Sequence, residues 1–492
     1  MDNSGKKIAL NYVMNTLLTI GSIVFPLITF PYASRMLGPA GTGSVAFVSS
    51  ITTYFTLFAQ LGMPLYGVRE CAKVRGKRQE LSQLVLELLV ISLISTSISI
   101  LLLVASVLFL PQLNVYSDLF IVFGTTVVLG SLGMEWMYKG LEEYTYISAC
   151  SLSCKALAIL AMFLLVRSQD DVVAYAAVSV LASTGSNVCN IFRAKRLVDF
   201  RGHDSLRLRR HLKPIIMLFT LTAVTSIYTS MNSTMLGILS STEEVGYYDV
   251  AVKVRSLSVS LVTSLSVVLL PRASYYLGKG EKDLFFSLSS KSIRFNFIFA
   301  CAISAFIFLF SEQIVALLAG KEYAASVMPM RILSIAVILV ALSNVMGTQM
   351  MVPLGMERGS LISALCGAGI AFFLNLLLLS SLGALGSAAS TLFAEGVVLG
   401  VQLLFIRSTG KLSFLKIPVI RVCLAILVAS LASGWIVLFS GLGAFVQIAV
   451  GFLFFSSAYV LCLIATGEPL TLSIVKTATS ILSKSVSSRL PL

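Results

Sequence analysis

The chain is poor in charge and nearly without histidine, and both shortages limit what it can be. Only 12% of its 492 residues are charged, about half the share of an ordinary soluble domain. This composition excludes a soluble globular enzyme and a disordered chain. The only two histidines, His203 and His211, lie in one basic segment, and the eight cysteines include no Cys-x-x-Cys pair. We therefore expect neither a metal site nor a disulfide framework.

The sequence also lacks the motifs of covalent chemistry. It contains no phosphate-binding P-loop and no His-Glu-x-x-His motif. Its longest segment outside the apolar runs, 193–213, is too short for a globular nucleotide-binding domain. We expect no cofactor and predict that the chain is not an enzyme.

Long apolar runs are what the sequence has in abundance. Hydrophobic residues make up 57% of the chain, and the mean hydropathy is +0.93. The first run, between Lys7 and Arg35, has 27 residues, which suits a spanning helix better than a cleavable signal peptide. The pattern predicts an all-α polytopic membrane protein with about fourteen transmembrane helices. The predicted spans are 8–35, 43–67, 84–110, 118–138, 145–166, 172–192, 215–239, 246–271, 292–310, 328–352, 360–381, 384–406, 417–439 and 444–465.

The distribution of basic residues predicts the orientation of these spans. The net charge is +14, and membrane proteins concentrate Lys and Arg in their cytoplasmic loops. With the N-terminus inside, the inside segments hold 29 basic residues and the outside segments hold three, Arg35, Arg167 and Lys321. We therefore expect a multi-pass protein of the cytoplasmic membrane with both termini cytoplasmic. The basic excess does not indicate nucleic acid, but an anionic substrate is a second source for it.

Short motifs recur about 200 residues apart. Ser34–Gly38 resembles Ser233–Gly237, and in both places a further glycine opens the next apolar run. Two weaker motif matches between the two halves of the chain follow in the same order. We predict an N-terminal six-helix lobe (1–200), a basic cytoplasmic linker (201–214), a C-terminal six-helix lobe (215–406) and two additional helices with a tail (407–492). Two such lobes around a central cavity are typical of a transporter.

A family resemblance rests on motifs spread over about residues 8–410. The motifs are Phe25–Gly43, Leu61–Glu70, Lys139–Tyr144, Val245–Tyr248, Leu269–Arg272, Met351–Gly355 and Gly383–Ala389. Together they resemble the bacterial oligosaccharide repeat-unit flippases, which move O-antigen or capsule units within the multidrug/oligosaccharidyl-lipid/polysaccharide exporter superfamily. The resemblance implies a central cationic cavity. It also implies that an undecaprenyl-pyrophosphate-linked oligosaccharide is flipped from the cytoplasmic to the outer leaflet, for surface polysaccharide biosynthesis. The implied partners are this lipid, the membrane lipids and other polysaccharide assembly proteins.

Cations inside or beside the spans are the candidate substrate ligands, because charge in hydrocarbon is costly and a pyrophosphate is an anion. We name Arg35, Lys253, Arg255 and Arg69. Arg35 matches the family motif and Lys253 the superfamily's cavity position; the alternatives are snorkelling for Arg35, pairing of Lys253 with Asp249 and simple anchoring for Arg69.

Two further charged residues fall nearest the middle of their spans. Lys155 and Glu395 are candidates for ion coupling; the alternatives are a buried ion pair with each other or two separately hydrated groups. Glu87, near an inside end, is interpreted as interfacial, and Arg331 as snorkelling. Pro26 and Pro31 predict a first span that is broken and lines a cavity, or one that is merely kinked by packing.

Two other functions stay open. One is a multidrug or toxin antiporter of the same superfamily. The other is a membrane glycosyl polymerase or ligase, which would need a large outside loop with catalytic groups. The largest predicted outside loop, 311–327, carries only Glu312, Lys321 and Glu322 as charged residues, which disfavours such an enzyme.

Overall fold

A computed structural model of the chain describes residues 3–200, 206–408, 417–438 and 443–473, and these residues are almost entirely helical. The apolar runs become helices because backbone donors and acceptors in lipid must be satisfied within the segment itself. The first helices are α1 (Asn3–Gln60), α2 (Met63–Lys73), α3 (Arg78–Phe109), α4 (Pro111–Asn114), α5 (Ser117–Leu132), α6 (Glu135–Gly140), α7 (Tyr144–Leu165) and α8 (Val172–Leu197). The remaining α-helices are α9 (Arg209–Leu239), α10 (Thr242–Gly278), α11 (Lys282–Leu309), α12 (Ser311–Leu318), α13 (Val327–Asn344), α14 (Glu357–Arg407), α15 (Val419–Leu438) and α16 (Ala444–Ala465). A 3₁₀ helix (Lys321–Ser326) precedes α13, and a π-helix (Val345–Met351) follows it.

The described helices confirm a polytopic all-α membrane protein. Ten helical segments are long and apolar enough to cross a membrane, or up to twelve if two bent pairs within α9 and α10 each count as one span. Two of the ten are interrupted by a glycine with positive φ, Gly38 in α1 (67°) and Gly383 in α14 (52°). Glycine adopts this conformation without steric cost. Both breaks fall between two predicted spans, and the count of fourteen crossings stays a prediction.

The first helix is not broken where its prolines stand. The backbone of α1 leaves the helical region at Gly38, whereas Pro26 and Pro31 both lie inside the helix. Each proline removes a single backbone hydrogen bond, and the backbone stays helical at both positions. The guanidinium of Arg35 donates to the carbonyl of Pro31, one turn back in the helix.

The described residues form two compact units. The first comprises Met1–Asp249 and Leu318–Glu322, and the second comprises Val250–Leu317 and Tyr323–Leu492. These units differ from the predicted lobes because α9 packs on α1 within the first unit. The lobe division describes a sequence repeat and stays a prediction. Part of the predicted linker, 201–205 with His203, lies outside the described residues, as does the tail from 474.

Each unit has its own hydrophobic packing. In the first, a core forms from α2, α3, α6, the start of α7 and the residues around the α8–α9 connection. In the second, α13 packs on α11 and α14. The two helices beyond residue 407, α15 and α16, pack on each other and on α11 around Phe455 and Tyr459. The last two helices are therefore integral to the second unit.

Candidate functional site

A buried ion pair joins α10 and α14 within the second unit. Arg255 of α10 donates from Nη2 to Oε1 of Glu395 in α14, over 2.7 Å. The two side chains are only 20% and 8% exposed. A lone charge in hydrocarbon costs at least about 2.5 kcal/mol by insertion scales. The pairing of a cation with a carboxylate is therefore what allows both residues to stand in apolar helices.

The guanidinium of Arg255 is not saturated by this carboxylate. Its Nε is buried and has no hydrogen-bond partner among the described residues. Arginine presents five N–H donors in a planar fork. A guanidinium with a buried, unmet donor can bind a second anion when the site opens, and phosphate oxygens match its geometry.

Glu395 and Lys155 each contact a residue of their own unit. The carboxylate pairs with Arg255, and the ammonium of Lys155 donates instead to Ser151 Oγ, one turn back on α7, over 2.8 Å. Lys155 is half-buried. A hydroxyl on its own helix therefore accepts from the ammonium, and the pair of Lys155 with Glu395 stays a prediction. Among the six predicted site residues, the structure brings Arg255 and Glu395 together.

Arg35 lies in α1 three residues before the break at Gly38. Its side chain is exposed, and besides its bond to the carbonyl of Pro31 it lies beside Gly320. The hydroxyl of the neighbouring Ser34 donates to the carbonyl of Leu318 over 3.2 Å. The segment Leu318–Glu322 thus lies against the end of the first span, and Arg35 is presented at its surface.

The other two candidate cations occupy different surroundings. Lys253 is half-buried on α10, two residues before Arg255. Its predicted pairing with Asp249, one turn away on the same helix, stays a prediction. Arg69 is exposed on α2, where its guanidinium lies 3.0 Å from Glu70 and 5.4 Å from the ring centre of Tyr66. These contacts fit the anchoring alternative as well as a ligand role.

Arg331 does not rely on snorkelling alone. Its Nη2 lies 3.0 Å from Glu312 Oε1, and its Nε donates to Ser311 Oγ over 2.8 Å. Glu312 is 64% exposed, so this pair lies at the end of its helix. Arg331 is therefore a contrasting case to Arg255, an arginine of the same unit whose counter-ion faces outward.

A second buried carboxylate, Glu87, lies on α3. It is fully buried and pairs with Arg210 at 2.6 Å and with His211 Nε2 at 2.7 Å. The backbone N–H of Arg207 also donates to it, over 2.9 Å. Tyr66 completes the chain with its hydroxyl 2.7 Å from His211 Nδ1. Glu87 therefore fastens the described end of the linker to α3.

The sequence offered only a weak signal for this network. Glu87 is a single carboxylate at the start of an apolar run, and its partners follow more than a hundred residues later. A charge so placed is equally compatible with a solvated helix end. Among the described residues, no three His, Cys, Asp or Glu side chains are grouped as ligands for a metal.

Comparisons with known proteins agree over most of the chain. A family model described as "Polysaccharide biosynthesis protein" matches residues 8–277, and one described as MatE matches residues 214–377. A protein named "Putative O-antigen transporter" in Escherichia coli (strain K12) is 25% identical over 399 residues, which cover 79% of this chain and 94% of the relative. A protein of the same name in Shigella dysenteriae is 22% identical over 393 residues, covering 79% and 97%.

Among solved structures, the chain resembles one titled "Lipid II flippase MurJ, inward closed conformation". The TM-score is 0.71 at 13% sequence identity, and the match covers 93% of this chain and 99% of that one. A multidrug resistance MATE family transporter in an outward-facing conformation matches with a TM-score of 0.55 at 15% identity, over 82% and 94%. At these identities the likeness shows a shared fold.

Proposed function

Since the chain belongs to the polysaccharide biosynthesis protein family, we propose that it is a flippase for a lipid-linked oligosaccharide. In this proposal it moves an undecaprenyl-pyrophosphate-linked repeat unit from the cytoplasmic to the outer leaflet by alternating access. It acts in the cytoplasmic membrane with both termini inside. The names of the two curated relatives and the fold shared with a lipid II flippase support this class of cargo.

The observation that carries the proposal is the buried pair Arg255–Glu395. A lipid pyrophosphate must pass through the apolar zone, so it needs a cation there that is available but not permanently occupied. Glu395 balances the charge of Arg255 while the site is empty. An arriving phosphate then takes over the guanidinium, and in low dielectric this exchange is worth more than in water.

Arg35, Lys253 and Arg69 extend this role in the proposal. Arg35 and Lys253 contact the pyrophosphate or an acidic sugar while the two predicted lobes alternate between inward-open and outward-open states. Arg69 contributes at the predicted cytoplasmic side, where the cargo enters. Several dispersed cations suit a carrier better than a closed cage, because release outside must remain fast.

The test is surface glycan production in a bacterial strain that lacks its own flippase and receives this chain. We expect Arg255→Ala to abolish glycan, and Arg255→Lys to restore it only in part, since lysine cannot bind phosphate bidentately. The double variant Arg35→Ala, Lys253→Ala should also fail. Arg331→Ala is the matched control, because it removes an arginine whose partner Glu312 is exposed.

A second double variant separates transport from folding. Removing Arg255 alone leaves Glu395 buried and unpaired, which destabilises by itself. Arg255→Ala combined with Glu395→Ala removes both charges. If the pair were only structural, this variant would regain glycan; under the proposal it stays inactive at normal protein levels. Wild-type glycan from it would refute the assignment of Arg255.

A drug antiporter is the second candidate, because the MatE model matches residues 214–377. A cationic drug is recognised by carboxylates, and Glu395, a buried carboxylate of the second unit beyond the matched residues, is paired with an arginine. The antiporter reading predicts raised resistance to cationic drugs and no effect on glycan. Glycan rescue without resistance would favour the flippase.

A further inference from the structure

A polar cleft lies in the first unit at one end of two neighbouring membrane-spanning helices, where α7 begins and α8 ends. Its volume is about 670 Å³, and it is lined by Tyr146, Cys189, Phe192, Arg193, Arg196 and Leu197. The five residues from α8 follow the spacing i, i+3, i+4, i+7 and i+8, which places them on one face of the helix. The cleft takes no part in the proposed transport site.

The cations of this cleft differ in what they contact. Arg193 is held in place, with its Nη2 2.9 Å from Glu143 Oε2 and its guanidinium carbon 3.9 Å from the ring centre of Tyr146. Arg196, one turn further, is exposed and has no ion pair among the described residues. Arg193 is therefore pre-oriented by an aromatic ring and a carboxylate, whereas no described carboxylate neutralises Arg196.

An apolar side chain borders these charges. Phe192 is 67% exposed although it is a large aromatic residue on the same face. An exposed apolar ring at the end of an apolar helix is suited to contact with a hydrocarbon chain. A ligand that satisfies both features carries a phosphate and a hydrocarbon chain. Basic clefts at the cytoplasmic ends of membrane helices bind anionic lipid headgroups in this way.

We propose that this cleft binds the phosphate of an anionic membrane phospholipid, with Arg193 and Arg196 as ligands and Phe192 against an acyl chain. Glu143 then acts as the internal competitor, because it occupies Arg193 when the lipid is absent. The proposal depends on the chain spanning a membrane and not on the identity of its cargo. The same phosphate chemistry occurs in undecaprenyl pyrophosphate, so the test includes both lipids.

The experiment titrates the purified full chain in detergent with dioleoyl phosphatidylglycerol and counts bound lipids by native mass spectrometry. We expect Arg196→Ala to weaken binding about fivefold, the weight of one basic residue near an anionic headgroup. Lys195→Ala is the matched control: it removes an exposed cation from the same turn that does not line the cleft, and it should change binding less than about twofold. Dioleoyl phosphatidylethanolamine should bind weakly to the wild type and equally weakly to Arg196→Ala.

A variant that binds phosphatidylglycerol more tightly than the wild type tests the proposal most clearly. Glu143→Gln removes the competing charge and should tighten phosphatidylglycerol binding, a change that loss of fold cannot imitate. Equal effects of Arg196→Ala and Lys195→Ala would mean diffuse attraction and would overturn the site. So would an Arg196→Ala variant that loses only undecaprenyl pyrophosphate, since the cleft would then belong to the cargo. Arg196→Gln repeats the charge removal with a longer polar side chain.

Discussion

Two buried carboxylates, Glu87 and Glu395, are both paired with arginine. Glu87 receives hydrogen bonds from Arg210, His211 and the backbone of Arg207, so each of its oxygens is occupied by the linker. Arg255 faces Glu395 while keeping an unmet Nε. A carboxylate that accepts from several donors, as Glu87 does, is suited to a structural role. A guanidinium with an unmet donor, as in Arg255, can bind a second anion.

Glu87→Gln tests this structural role. The amide cannot accept from all these donors, and it leaves Arg210 and His211 without their anion, so we expect a loss of about 2 kcal/mol in unfolding free energy. Glu80→Gln, on the same helix but in a pair with Lys77 that is more than half exposed on both sides, should cost less than about 0.5 kcal/mol. Thermal unfolding in detergent measures both. Equal losses would show that Glu87 is no more than a surface charge.

Glu395→Gln tests the pair with Arg255. If the carboxylate takes up a proton when the cargo anion displaces it from Arg255, flipping driven by a proton gradient should fall while cargo binding is kept. The measurement is flipping in proteoliposomes with and without an imposed pH gradient. A gradient dependence identical to that of the wild type would remove Glu395 from ion coupling.

The sequence identifies the individual charged residues, but it does not predict which of them pair. Arg255 and Glu395 were both named from their charge within apolar runs, because that cost is a local property. Their pairing joins residues 140 positions apart. Nothing in the local pattern identifies which residue far along the chain Glu395 meets, because that depends on the tertiary fold.

Among the elements, two glycines explain how the corner of α1 meets the start of α10 within the first unit. A Cβ added to Gly43 would lie 1.7 Å from the carbonyl oxygen of Thr242, and one added to Gly246 would lie 2.1 Å from that of Pro39. Both glycines belong to the repeated motifs of the sequence. Small residues let helix backbones approach closely, which drives helix association in membranes.

Gly246→Ala should therefore strain this crossing. Its new methyl group meets backbone atoms that cannot rotate away, so we expect a destabilisation of about 1–3 kcal/mol. Gly278→Ala, at the other end of α10, has no atom within 4 Å of the added Cβ and should be neutral or slightly stabilising. Unfolding midpoints of the two variants in detergent make the comparison. Equal midpoints would show that the corner does not depend on the close approach.

The positions of the helices are largely predictable, because hydropathy is a property of the local sequence and does not depend on the fold. The turns at Gly38 and Gly383 fall between predicted spans for the same reason. The proline-containing first span was harder, because a helix tolerates proline when its neighbours satisfy the freed carbonyl. Sequence shows where such a helix is weakened, and the surroundings determine whether it breaks.

For the whole molecule, the repeat in the sequence and the compact units in the structure divide the chain at different positions. The repeat concerns how the chain is built, and it places a boundary near residue 200. The compact units reflect packing and divide the chain within α10. The helix α10 runs through this division. The charge imbalance that predicts both termini inside is independent of either division.

The most direct measurement of the central claim is flipping by the purified chain in lipid vesicles. The cargo is lipid-linked oligosaccharide extracted from the source strain, and a membrane-impermeant reagent that modifies its sugar reports which leaflet it occupies. With the wild-type chain, we expect cargo that begins in the inner leaflet to become reactive, and with Arg255→Ala it should stay as protected as in empty vesicles. If the wild-type chain leaves the protected fraction unchanged, the chain does not flip this lipid and the account is contradicted.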